Sequence, residues 1–186
     1  MNLIKIFTFI LISLNISIKA NSIEIAEGLL KKGGNLILIR HAYAPGNGDP
    51  SNFDINDCST QRNLNREGII ESQTLGKFFL KNKIKIDKVL SSEWCRCKDT
   101  AFYAFKNYEE VSFLNSFYDK KFFHNKLPQM ARLKKYIKNW KSTKNLVLVT
   151  HYVVISELLN VATSPAEIIV TDKNFNILGR KKVEDN

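Results

Sequence analysis

Two stretches decide the fold: Asn35-Leu36-Ile37-Leu38-Ile39-Arg40-His41 and Asn145-Leu146-Val147-Leu148-Val149-Thr150-His151. Each is an apolar run of strand length, opened by an asparagine and followed by a histidine. Neither run alternates apolar with polar residues, so each strand must be covered on both faces. Such strands sit in the middle of a sheet with helices packed above and below. The rest of the chain supplies the partners. Residues 86–90 read as a third strand, ending at Ser91-Ser92. Helical spacing runs through residues 67–81, 94–105, 127–141 and 153–161. Residues 111–114 read as a short strand, and residues 167–172 and 175–179 as a hairpin across Lys173-Asn174. Residues 41–65, rich in Gly, Pro, Asn and Asp, form a long loop. The expected fold class is α/β: a three-layer α/β/α sandwich around a mostly parallel sheet.

In such a sheet, ligands bind at the carboxyl ends of the strands. Three strands here end in reactive residues: Arg40-His41, then Ser91-Ser92 with Arg96 beyond, and Thr150-His151. The whole chain has only three histidines, and two of them follow apolar strands at the same edge. The constellation is thus two histidines and two arginines.

These residues lie in recognisable motifs. Leu38-Ile39-Arg40-His41-Ala42 resembles the Arg-His-Gly signature of the histidine phosphatase superfamily, the phosphoglycerate mutase-like fold. The run Ser91-Ser92 to Arg96 and on to Thr100-Ala101 resembles its second motif. Leu148-Val149-Thr150-His151 resembles the strand and second histidine, and Leu64-Asn65-Arg66-Glu67-Gly68 the intervening helix start. The resemblance implies that His41 is a nucleophile that becomes phosphorylated. It implies that Arg40 and Arg96 bind phosphate oxygens, and that His151 stabilises charge during transfer. Asn47, six residues past His41, falls where the mutase branch has a phosphate-pocket Asn. No metal or other cofactor is implied.

The chemistry agrees with those roles. A phosphoryl group in transit is an anionic plane of three oxygens, so catalysis is positioning plus charge stabilisation. Arginine binds such oxygens as a permanently charged fork. A neutral imidazole is a nucleophile once its other nitrogen is held by an acceptor.

The departures from the family pattern matter. Ala42 stands where Gly is usual. Tyr152 follows His151 in place of the acid-phosphatase Asp, and Ser116 stands where the mutase branch has a Glu, so neither usual proton donor is present. Mutase activity is therefore not expected. Asp57-Cys58, Gln61-Arg62, Trp94-Cys95-Arg96-Cys97 and Ser164-Pro165-Ala166-Glu167 resemble a secreted subgroup that includes lipopolysaccharide core heptose phosphate phosphatases. From this subgroup, Glu167 is expected to be the general acid, kept protonated by partial burial; Asp49, Asp54 and Asp119 are the other candidates. Arg62 is expected to touch substrate. Cys58 is expected to bridge to Cys95 or Cys97, with Cys97 favoured. His124 reads as a lid or surface residue. Phe113, Phe117, Phe122 and Phe123 read as an apolar wall.

Residues 1–20 form a unit of their own: a short basic start, an apolar run from Ile6 to Ile18, and a small residue at Ala20. That is the pattern of a secretory signal peptide, leaving residues 21–186 as one domain in the periplasm or outside the cell. Cleavage removes Lys5 and Lys19 and no acid, so the net charge goes from +10 to +8. A surface of that charge favours anionic partners: a small phosphorylated substrate, an envelope glycolipid or a membrane surface. No nucleic-acid motif is present. With 44% hydrophobic and 25% charged residues, the composition excludes a disordered chain. The expected function is an exported phosphatase hydrolysing a phosphomonoester, a sugar or envelope glycolipid phosphate, through a phosphohistidine on His41. A catalytically weak phosphate-binding protein and a protein phosphohistidine phosphatase remain open beside it.

Overall fold

The computed structural model describes residues 28–183; the signal peptide expected over residues 1–20 lies outside them. A six-stranded sheet is built from β1 (Leu36–Arg40), β2 (Ile86–Ser91), β3 (Glu109–Glu110), β4 (Asn145–Thr150), β5 (Glu167–Thr171) and β6 (Ile177–Lys182). Its order is β3-β2-β4-β1-β5-β6. The first four strands are parallel, and β5 and β6 close one side as an antiparallel hairpin.

The two apolar runs are central neighbours, in register from Leu36 opposite Leu146 to Arg40 opposite Thr150. Strand alternation sends their side chains to opposite faces. Ile37, Ile39, Val147 and Val149 pack under α1 (Arg66–Lys81) and α2 (Cys95–Phe105), against Leu75, Phe79 and Ala101. Leu36, Leu38, Leu146 and Leu148 pack on the other face under α3 (Lys126–Asn139) and α4 (Tyr152–Leu159), against Met130, Leu133, Val154 and Ile155. The three-layer sandwich is as expected, and each of these fully buried leucines contributes about 2–5 kcal/mol against truncation to Ala.

The amino ends of the central strands are polar yet buried. The Asn145 amide donates to Leu30 O (2.7 Å) and Lys85 O (3.0 Å) and its oxygen accepts from Asn35 N–H (3.2 Å). The Asn35 amide donates to Leu29 O at 2.7 Å. Two asparagines thus tie the strand starts to the segments that feed them.

Two elements differ from expectation. Residues 111–114 are not a strand. The edge strand is Glu109–Glu110, and Ser112–Leu114 is a 3-10 turn. Val111 N–H still reaches Ser91 O (2.9 Å), but the Thr150 hydroxyl then captures Leu114 O (2.7 Å) and turns the chain inward over the strand ends. The last strand starts at Ile177, because Asp172 accepts from the N–H groups of Asn174 and Asn176 and widens the turn.

Helix α1 starts hard against the first loop. Asn65 caps it by accepting from Gly68 N–H (3.0 Å). A Cβ on Gly68 would lie 2.0 Å from Tyr43 O, so only glycine allows this approach.

Candidate active site

Parallel pairing brings the reactive residues together. His41 lies one step beyond β1, its N–H bonded to Thr150 O (2.9 Å), and His151 lies one step beyond β4. The two rings stand edge to face with centroids 5.5 Å apart. Both histidines and Arg96 are 3% exposed. They line a cavity of about 140 Å³, with Arg40, Asn47, Asp49, Arg62, Asp119 and Tyr152 also on its wall. A larger groove of about 700 Å³ lies beside β2 and β3, lined by Phe79, Ile84 and Phe105. It shares no lining residue with the histidine cavity, so size does not mark the chemistry here.

The His41 ring is held by its Nδ1, 2.8 Å from Ala42 O. A carbonyl only accepts, so Nδ1 carries the proton and Nε2 keeps its lone pair. Burial, and then the charges of Arg96, Arg62 and Arg40, hold the His41 pKa well below its ordinary value. His151 is lowered for the same reasons, with His41 itself adding to the effect. Both rings are neutral at neutral pH. His151 Nε2 lies 2.9 Å from Ser92 Oγ, and Ser92 donates to Asn115 Oδ1 (3.0 Å). The Ser92 proton is thereby engaged, so Nε2–H of His151 is the donor of that pair. Ala42 N–H is fixed by Thr100 Oγ1 (3.0 Å), whose hydroxyl donates to Arg96 O (2.7 Å). The second motif thus braces the turn carrying His41.

The arginines are aimed. Arg96 spends one edge of its fork on Asp49, with Nη1 to Oδ1 at 2.7 Å and Nη2 to Oδ2 at 3.1 Å. Its Nε is buried with no hydrogen-bond partner among the described residues, and so is the Nε of Arg40. Arg40 anchors through Nη1 to Thr163 O (2.8 Å) and lies over the Tyr152 ring at 5.6 Å. A buried guanidinium N–H without a partner is costly, and both arginines that carry one line the cavity. Burial and the neighbouring arginine charges lower the pKa of Arg40 and of Arg62; both remain cations.

Asp49 has a role the sequence did not reveal. Burial pushes its carboxyl up, but the bonds from Arg96, Arg62 N–H and Trp94 Nε1–H outweigh that and hold it below the ordinary carboxylate value. It is a fixed anion that sets Arg96, not a proton donor. The available signal was an acid in a loop expected to face two arginines. Arg62, expected to touch substrate, lies on the cavity wall, and its Nε binds Gly48 O (2.9 Å) and its Nη1 binds Ala44 O, so it folds the loop.

Two expectations are corrected. Glu167 is not on the cavity wall. Its carboxylate takes Arg180 Nε (2.8 Å), Ser164 N–H (2.8 Å) and the Thr163 hydroxyl (3.1 Å). Burial pushes Glu167 up, but these donors bring it below its ordinary value, so it is ionised and cannot serve as the acid. It instead shapes the turn whose Thr163 carbonyl anchors Arg40. The disulfide joins Cys58 to Cys95, not to Cys97. Residues two apart on a helix point to nearly opposite sides. Cys95 opens α2 toward the loop, its N–H on Gln61 Oε1 (2.9 Å). Cys97 points inward, with Sγ 3.5 Å from His151 Nε2 and its thiol pushed up to about 12 by burial.

The aromatic wall is partly present. Phe122 and Trp94 line the cavity, with Phe53 stacked on Trp94 at 5.0 Å. Phe117 is in the core, Phe113 packs against it, and Phe123 and His124 are exposed.

No family model and no curated protein matches this chain. Solved structures do. The protein histidine phosphatase SixA complexed with tungstate shares 17% identity over 80% of this chain and 96% of its own, with a TM-score of 0.55. The putative phosphohistidine phosphatase SixA from Agrobacterium tumefaciens shares 18% identity over 80% of this chain and 97% of its own, at 0.54. Phosphoglycerate mutase from Thermus thermophilus shares 15% identity over 78% of this chain and 97% of its own, at 0.55. These structural neighbours are members of the histidine phosphatase superfamily, and the fold is the one they share.

Proposed function

We propose that the protein is an exported phosphatase of the histidine phosphatase type, acting on a small anionic phosphomonoester such as a sugar or envelope glycolipid phosphate. The observation that carries this reading is the neutral, oriented His41 ring sharing one cavity with Arg40 and Arg96. Nε2 of His41 attacks phosphorus, and the bond from phosphorus to the leaving oxygen breaks. Arg40 and Arg96 hold the equatorial oxygens meanwhile, with the His151 ring packed edge to face against His41. Water then attacks the phosphohistidine, the P–N bond breaks, and inorganic phosphate leaves with His41 regenerated. Export is supported by the pattern of residues 1–20 and by the Cys58–Cys95 disulfide, which belongs in an oxidising compartment.

The leaving oxygen needs a proton. Asp49 is paired and Glu167 lies elsewhere, so Asp119 is the carboxyl on the cavity wall that is left for the task. It is exposed, and its Oδ1 already accepts from Lys121 N–H (3.0 Å). That weak provision favours a second reading, hydrolysis of a phosphohistidine, whose imidazole leaves without such help.

Three substrates separate the readings: p-nitrophenyl phosphate, a sugar phosphate and a phosphohistidine peptide. Turnover of the sugar phosphate that falls in Asp119→Asn supports the first reading. Turnover of the phosphohistidine alone supports the second. Tight phosphate binding with no turnover on any of the three, and no acid-labile phosphoenzyme from labelled substrate, overturns both.

A further inference from the structure

Residues 120–144 form a one-sided stretch, with nine Lys or Arg and no Asp or Glu. Most of it is continuous helix: the 3-10 segment Lys120–Asn125 runs directly into α3. The inner face of α3 is spent on the core through Met130, Leu133 and Ile137. Its outer face carries Leu127, Ala131, Lys134, Lys135 and Lys138, all exposed and spaced along one side.

The leading end of this face is apolar. Phe123 is 61% and Leu127 77% exposed, on either side of the junction between the 3-10 segment and α3. Lys126 lies over the Phe123 ring at 5.7 Å and pairs with Glu157 at 2.7 Å. Glu157 and Asp119 are the acids that border this end; the face behind it is basic. The same segment forms the rim of the active site, since Tyr118, Asp119, Lys121 and Phe122 line the cavity.

We propose that this face docks on an anionic lipid bilayer, with Phe123 and Leu127 entering the headgroup layer and the lysines of α3 over acidic headgroups. The cavity rim then sits at the membrane surface. The two features together point to a bilayer: exposed apolar tips within a basic helix face are what an interfacial segment presents, and anionic lipids attract each nearby lysine. A nucleic acid or a purely polyanionic chain such as polyglutamate would satisfy the lysines but leave Leu127 in water. The docking rests on the phosphatase reading only for the meaning of the cavity beside it.

The test is co-sedimentation of the purified protein with phosphatidylcholine vesicles, with and without phosphatidylglycerol. Binding is expected only to the anionic vesicles, and it should weaken sharply as salt is raised. Phe123→Ser with Leu127→Ser should weaken it roughly tenfold, and K134E with K135E and K138E should abolish it. Neither set touches the cavity, so the melting midpoint and turnover of soluble p-nitrophenyl phosphate should match wild type, which shows that both variants fold. His41→Ala protein should bind vesicles as wild type does, so loss of the phosphatase reading and loss of docking are told apart. Equal binding to both vesicle types, no binding, unchanged binding in both variants, or release from vesicles onto added DNA or polyglutamate would each overturn the docking.

Discussion

The central strands β1 and β4 have two polar ends, and the two are built oppositely. At the amino ends, Asn35 and Asn145 reach each other and the carbonyls of Leu29, Leu30 and Lys85. At the carboxyl ends, the Nε–H groups of Arg40 and Arg96 are buried without partners among the described residues. Both ends are buried and both are rich in hydrogen-bonding groups. One end is satisfied and therefore stabilises; the other withholds satisfaction, which fits the binding role proposed for it. The comparison predicts that damage at the two ends will separate into lost chemistry and lost stability.

The largest effect is expected at the carboxyl end. His41→Ala should remove turnover and the trapped phosphoenzyme while shifting the melting temperature by only a few degrees. Arg96→Ala and His151→Ala should each slow turnover about 10²-fold or more. Asp49→Asn should sharpen the point. It keeps the shape but weakens the grip on Arg96, lowering kcat/KM for p-nitrophenyl phosphate about tenfold. Glu167→Gln should affect p-nitrophenyl phosphate and a sugar phosphate equally, because the carboxylate acts only on the Thr163 turn. Unequal loss would restore it as the acid.

At the amino end the loss should be of stability. Asn145→Ala leaves several buried groups unpaired and should cost about 2–4 kcal/mol by urea unfolding, with kcat/KM near wild type. Removing the Cys58–Cys95 bridge as a double alanine variant should cost a similar 2–4 kcal/mol, on the order expected for a loop of this length. Mass spectrometry of the unreduced protein should find Cys97 as the free thiol among the three cysteines.

The smallest effect is pH dependence. His41 and His151 are held neutral in the fold, with pKa values well below the ordinary value of 6.5. Below that value the unfolded chain binds protons that the folded one refuses. Their contribution is complete above about pH 6.5 and is lost as pH falls below it. Urea midpoints should drop on acidification through this window, and less so in His151→Asn.

How much was legible follows the same divide. β1, β2 and β4 could be read because full burial leaves a continuous apolar run, and parallel pairing then puts their ends side by side. His41, Arg40, Arg96 and His151 came with them. Asp49, Glu167 and Cys97 could not be read, because their roles depend on which partner a loop or a helix face meets. Glu167 carried the right chemistry for an acid and met Arg180; Asp49 met Arg96. The short strand expected at residues 111–114 failed because a single side chain, the Thr150 hydroxyl, pulled Leu114 out of line.

The crowded arginines have a practical consequence. Arg40, Arg62 and Arg96 stand around one cavity, and the carboxylate among them, Asp49, is already committed to Arg96. The folded protein therefore gathers positive charge that an incoming dianion relieves, whereas the unfolded chain spreads it out. Any ligand that fits will raise the melting temperature; one present at a hundred times its dissociation constant adds about 2.7 kcal/mol. The protein thus reports on its own ligands through its heat stability. A library of phosphorylated metabolites can be ranked by thermal shift using the inert His41→Ala variant, which binds without consuming what it binds.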